Sequence, residues 1–240
     1  MLDKESIRAN LESVQARIAA ATKLAGRDAA TIRMVAVTKG HPVEAISILQ
    51  QLGVLDIGES YVEDAREKQA LLGQTPSLKW HMIGHIQSRK AQLVAGNFDL
   101  VHSVDTLKLA RRLDRFAGEA SRKLAILLEC NVSAEVSKTG WPVWNNEGET
   151  AFMKDVAELV MLKNLEPHGL MTIAPVIDRP DQAKAYFKKL RMLRDKLAEK
   201  VPQTYWRELS MGMSDDFESA ITEGATLVRI GTAILGPRQN

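Results

Sequence analysis

The chain has 240 residues, 45% of them hydrophobic, with 32 basic residues against 30 acidic ones and a net charge of +2. That length suits one α/β barrel or two small domains, and the near-neutral balance gives no electrostatic ground for a nucleic acid or an anionic membrane as partner. The single cysteine, Cys130, excludes an internal disulfide or a cysteine-built zinc site and fits a reducing compartment such as the cytoplasm.

Asp3, Lys4, Glu5, Arg8 and Glu12 occupy the start of the chain, where a signal peptide would need an apolar run. Ile7, Leu11, Val14, Ile18 and Ala21 recur at helical spacing, which predicts an amphipathic helix from residue 3 to about 24, closed by Gly26. The run Met34-Val35-Ala36-Val37-Thr38-Lys39-Gly40 reads as a buried strand with an amine at its tip. A helix follows from Pro42 to about Leu52, and a second strand, 54–57, runs into Gly58-Glu59-Ser60-Tyr61 and a charged helix through Leu72. Further strands are expected at 79–83, 100–104, 124–132, near 168–171, at 206–209 and at 226–230, alternating with helices. The polar stretch 133–140 is expected to be a long mobile loop, and Ser214 to cap a helix over 215–223. Eight strands alternating with helices, without a composition break or linker, predict a single (β/α)8 TIM-like barrel with an extra N-terminal helix, spanning residues 1–240.

By alternation Lys39 shares a face with Val37 and Val35, so its ammonium starts among hydrocarbon side chains. Such a lysine is either a nucleophile toward carbonyls or a strand-end residue that snorkels into water. In a closed barrel the carboxyl ends of all strands meet on one rim, and the loops after the last two commonly hold a phosphate. Here those loops carry Ser210, Gly212 and Ser214, and Gly231 with Thr232. Asp215 and Asp216 would repel an anion, which places it nearer Ser210, Gly231 and Thr232. Closure sets the first strand beside the last, so amine and anion site become neighbours, as a phosphorylated aldehyde would need; pyridoxal 5'-phosphate (PLP) is the candidate. Arg229 shares a face with Gly231 and would meet either the phosphate or the pyridine nitrogen. His81 and His85 stand on a strand end without a carboxylate motif, which argues against a metal, and Glu59 reads as polar surface.

The segments 35–39, 58–62, 80–88, 209–216 and 228–233 together resemble the pyridoxal-phosphate homeostasis protein family, also called the PLP-binding proteins. The resemblance implies a barrel like the N-terminal domain of alanine racemase, with PLP as a Schiff base on Lys39, its phosphate at Ser210 to Ser214 and at Gly231 and Thr232, and Ser60, His85, Met171 and Arg229 around it. Ser60 stands where the family often has asparagine, and His41 where a second lysine is frequent. Lys138 matches a loop lysine of the family.

Two functions from different classes remain open. A PLP-dependent racemase needs acid/base groups on both faces of its substrate, and Lys39 serves one. In the related racemases the opposite tyrosine comes from a second domain, and this sequence stops soon after the eighth strand; of Tyr61, Tyr186 and Tyr205, only Tyr61 falls near the rim. The expectation is therefore a non-catalytic carrier that takes part in PLP homeostasis, a monomer or weak homodimer with PLP-dependent apoenzymes as recipients. A Schiff-base aldolase acting on a sugar phosphate is the third reading.

Overall fold

The computed structural model describes residues 3–135, 137–175 and 180–237. Asp3 accepts hydrogen bonds from the backbone N–H groups of Glu5 and Ser6 and starts α1 (Lys4–Leu24), whose buried face carries the five apolar residues expected. The chain then alternates: β1 (Arg33–Val37), α2 (Val43–Gln51), β2 (Asp56–Glu59), α3 (Val62–Leu72), β3 (Lys79–Met82), α4 (Ala91–Asn97), β4 (Leu100–Val104), α5 (Leu107–Glu119), β5 (Leu124–Asn131). A two-residue strand, β6 (Trp141–Pro142), precedes α6 (Asn146–Leu159), β7 (Leu165–Met171), α7 (Lys184–Lys200), β8 (Glu208–Ser210), α8 (Phe217–Thr222), β9 (Leu227–Ile230) and α9 (Thr232–Leu235).

Among the described residues all strand pairings are parallel, and eight of the nine strands close in the order β1, β2, β3, β4, β5, β7, β8, β9 and back to β1. Closure rests on β1 against β9, registered from Arg33 with Leu227 to Ala36 with Ile230. β6 only extends the end of β5, opposite Cys130 and Asn131. The larger apolar core lies between barrel and helices and includes Leu49, Ile57, Phe98, Phe152, Phe187 and Phe217, all at most 1% exposed. Burying each such side chain contributes about 2–3 kcal/mol. Inside the barrel the apolar cluster is small: Val35, Leu100, Leu127, Met171 and Leu227. α1 covers α8 and α9, and Asn10 donates to the Ile234 carbonyl at 3.0 Å, so the N-terminal helix braces the segment that follows the last strand.

Several boundaries differ from expectation. β2 starts two residues later than expected, because the Val54 N–H is taken by the Leu49 carbonyl (2.9 Å) in the turn that ends α2. β8 also starts two residues later, at Glu208: Trp206 is buried and donates to the Val201 carbonyl at the end of α7. Ser214 does not cap α8; Asp216 holds that position and accepts from the Met213 N–H at 2.6 Å, while Ser214 Oγ accepts from the Ala233 N–H at the start of α9. In the 133–140 segment, expected as a loop, Asn131 bonds Ser133 and the Glu135 carbonyl, and Thr139 donates to Glu129. Val136 lies outside the described residues.

Gly169 on β7 has no room for a side chain, since a Cβ there would collide with the Glu208 carbonyl of β8. Gly169→Ala forces those paired backbones apart, and urea unfolding should read a loss of about 2–3 kcal/mol.

Candidate functional site

β1 sends Val35, Val37 and then Lys39 toward the barrel interior, and Lys39 follows Thr38 into a turn where Gly40 takes φ of 72°. The turn is clamped from behind. Thr38, fully buried, donates through Oγ1 to Glu59 Oε1 at 2.6 Å, and Lys68 Nζ donates to the same oxygen (2.6 Å) and to the Thr38 carbonyl (2.9 Å). Glu59, expected at the surface, is 0% exposed: it sits beneath α3 as the acid of a buried ion pair. Glu59 Oε2 has no hydrogen-bond partner among the described residues.

Lys39, half-buried, opens into a cavity of about 220 Å³ that also takes in Ser214, Arg229, Gly231 and Thr232. The amine from β1 and the loops after β8 and β9 therefore share one space. The sequence reading had not placed Ile83, Ile173, Met213, Gly236, His41 or Asp215 on that wall. Asp215 is an exposed carboxylate there. Gly231 lies against β1, where a Cβ would come within 3.3 Å of the Val37 carbonyl oxygen.

Arg229 points inward as alternation predicts and is 4% exposed. It donates to Ser210 Oγ (2.6 Å) and to the Thr172 carbonyl (2.9 Å), and its backbone N–H binds the Gly212 carbonyl (3.0 Å). Burial lowers its pKa to about 10, against the pull of Asp216 and Glu129, so it is a cation at neutral pH. Gly212 takes φ of 90°, with no room for a Cβ between Ala220 and Phe217.

The other expected contacts lie elsewhere. Ser210 is fully buried with its hydroxyl committed to Arg229 and His102, and Met171 belongs to the inner apolar cluster; both sit below the cavity rather than on its wall. Ser60 and His85 line a neighbouring cavity of about 370 Å³ with Tyr61, Gln87 and Lys90, and His85 Nδ1 stands 3.2 Å from Asp105 Oδ2. Lys138 donates to the carbonyl of Ile173, a residue that lines the Lys39 cavity. Glu129, the single charge in an apolar strand, is 5% exposed and accepts from Thr139. Burial pushes its carboxyl up and Asp105 adds to this, while the Thr139 bond, Arg229 and His85 pull it down; the net direction is up.

Two measurements follow from these buried charges. Lys68→Ala leaves the Glu59 carboxylate without its cation and should cost about 3–5 kcal/mol in urea unfolding. For Glu129 the folded carboxyl holds its proton to higher pH than the unfolded one, so its contribution to stability falls as pH rises through the unfolded value and on to the folded one. Glu129→Gln, which still accepts from Thr139, should therefore raise the melting temperature at pH 7 and change it least at pH 4.

Comparison with known proteins places this architecture. The alanine racemase N-terminal domain family matches residues 2–239. A pyridoxal phosphate homeostasis protein of Pseudomonas aeruginosa is 42% identical over 235 residues, covering 97% of this chain and 96% of that one. Its counterpart in Vibrio cholerae is 40% identical over 238 residues, covering 97% of each. The solved structure of PipY from Synechococcus elongatus, with PLP bound, superposes with a TM-score of 0.80 at 35% identity, covering 93% of this chain and all of that one. A Clostridium difficile alanine racemase, 17% identical with a TM-score of 0.72 over 96% of this chain, shares the fold. By the extent of the family match and the identity to these relatives over nearly the full length, this chain belongs to the alanine racemase N-terminal domain family, among the pyridoxal phosphate homeostasis proteins.

Proposed function

We propose that this protein binds PLP and takes part in its homeostasis, holding the cofactor on Lys39 without catalytic turnover. The observation that carries the reading is the shared cavity, in which one primary amine faces a hydroxyl, a guanidinium and two residues of a glycine-containing turn. That donor set fits a phosphorylated aldehyde. Bound PLP supplies an aldehyde carbonyl able to condense with a primary amine, and the Lys39 Nζ is the amine at hand. Ser214, Gly231 and Thr232 would receive the phosphate, close to the backbone because position 231 carries no Cβ. Arg229 stands at the cavity floor as a fixed positive charge. The Glu59–Lys68 clamp holds the Thr38 turn and so aims the amine. The relatives named as PLP homeostasis proteins support the carrier role, and PipY with PLP bound supports the ligand.

A racemase would need a second proton-transfer group facing Lys39 across the substrate. The tyrosines do not supply it, since Tyr61 and Tyr205 are exposed and Tyr186 packs on the outer core; His41 and Asp215 are the titratable groups that line the cavity with Lys39 and Arg229, and the racemisation assay below tests them. Among the described residues no helix is long and apolar enough to cross a membrane. On the single, unpaired Cys130 we place the carrier in a reducing cytoplasm, acting as one PLP-binding domain over residues 1–240, a monomer or weak homodimer that passes PLP to apoenzymes dependent on it.

Purified protein mixed with PLP should develop the absorbance of a lysine-bound carbonyl, and Lys39→Ala should abolish it while leaving the far-UV circular dichroism unchanged. Incubation with a panel of L- and D-amino acids should leave their configuration intact. Racemisation that disappears in Lys39→Ala would overturn the carrier reading, and a colourless wild-type protein in the presence of PLP would overturn the ligand.

A further inference from the structure

Below the cavity the barrel is crossed by a continuous line of polar side chains. Arg229 Nη1 donates to Ser210 Oγ at 2.6 Å, and Ser210 Oγ stands 2.8 Å from His102 Nδ1. His102 Nε2 is 2.9 Å from His81 Nδ1, and His81 Nε2 is 2.8 Å from Asp56 Oδ1. The line passes from β9 through β8, β4 and β3 to β2, and Ser210, His102, His81 and Arg229 are all at most 4% exposed. Asp56 and its strand partner Lys79 are the first residues of β2 and β3, so the line ends at the amino-end rim, opposite the cavity. Arg33 of β1 approaches Asp56 to 4.0 Å there.

The chemistry of the groups sets a direction. Arginine only donates, and an ionised carboxylate only accepts. Burial would raise the Asp56 carboxyl, but the hydrogen bond from His81 and the nearby Arg33 and Lys79 charges hold it below its ordinary range. Burial, with His81, Arg229 and Arg33 nearby, pushes His102 well below the usual imidazole range, so it is neutral. Because Arg229 only donates and Asp56 only accepts, one arrangement with a single proton on each imidazole pairs every donor with an acceptor. His81 carries its proton on Nε2 toward Asp56, His102 carries its own on Nε2 toward His81, and the Ser210 hydroxyl points at His102 Nδ1. Its lone pairs then face Arg229. Every bond runs from the guanidinium toward the carboxylate, and each polarises the next.

We propose that Asp56, His81 and His102 are positioning residues for the cavity: the one-way chain from Arg229 to Asp56 fixes where the guanidinium stands, so the far rim of the barrel sets how the pocket receives its ligand. None of the three lines the cavity, and each acts through the next. That they serve PLP rests on the function proposed above; that they hold Arg229 does not.

The experiment has an arm for each statement. In the wild-type protein without PLP, nitrogen NMR of the imidazoles near neutral pH should find His81 and His102 both protonated on Nε2, and this needs no variant to fold. In Asp56→Ala and His102→Phe, also without PLP, the Arg229 side-chain N–H resonance should move. With PLP, each variant should bind about tenfold more weakly, within the range for mutations that act through an intervening hydrogen-bond network, and should shift the absorbance maximum of the bound cofactor. The double variant should be no worse than either single one, because the same chain is already broken. His102 protonated on Nδ1, an unmoved Arg229 resonance, or losses that multiply in the double variant would each overturn the proposal. Wild-type protein that takes up no PLP would sink the cofactor reading, while the measurements without PLP would still judge the chain.

Discussion

The pairing of β1 with β9 is the constraint on which the site depends. Lys39 and Thr232 are separated by nearly the whole sequence, and no local preference brings them together. Once Arg33 is registered with Leu227 and Ala36 with Ile230, the tip of the first strand lies beside the turn after the last, with Gly231 packed against Val37. A parallel pair of this kind has no hairpin to enforce it. It forms because the intervening strands and helices complete the circle, and α1 then fastens the closing segment from outside through Asn10 and the surface it shares with α8 and α9. Closure of the fold and assembly of the cavity are one event.

The two layers of the molecule divide the work. The layer between strands and helices is almost wholly apolar and supplies most of the burial. Among the described residues the interior cluster has five buried apolar members, and buried Arg229, Ser210, His102 and His81 lie beside it. Buried polar groups are costly unless every member finds a partner, and a fully satisfied network specifies one arrangement. Stability therefore resides mainly outside the barrel and geometric definition inside it. Alterations to the inner chain should for that reason be felt first at the cavity.

What could be read from the sequence, and what could not, follows the same division. Apolar runs ending in glycine or a polar residue located the eight barrel strands to within a few residues, because a strand buried on both faces leaves that mark. Alternation gave the inward faces of Lys39 and Arg229. It did not give depth: Ser210, registered with Leu227 and Met171, is fully buried and does not line the Lys39 cavity, whereas Arg229, registered with Val35, does. Height around a closed barrel depends on the stagger between strands, which no single strand carries. The Glu59–Lys68 pair went unseen because the acid stands at a strand end and the base in a charged helix, where each reads as solvated surface. The His81–His102 contact joins neighbouring strands across a register that only the assembled sheet defines.

The amine and the guanidinium are held from different sides of the barrel wall. Thr38, Glu59 and Lys68 grip the turn before Lys39 on the outer face, beneath α3. Ser210 and the residues below it grip Arg229 on the inner face, while the Thr172 carbonyl takes a second N–H. Neither clamp needs a ligand to form, so the ends of the cavity stand ready and little ordering remains when a ligand enters. Lys39 is nonetheless only half-buried, and Asp215 and Met213 at the mouth are exposed. A site with fixed ends and an open mouth binds by orientation more than by enclosure. Enclosure is what an enzyme uses to keep water from a reacting centre, whereas a carrier must let its cargo leave, and an open mouth suits that task.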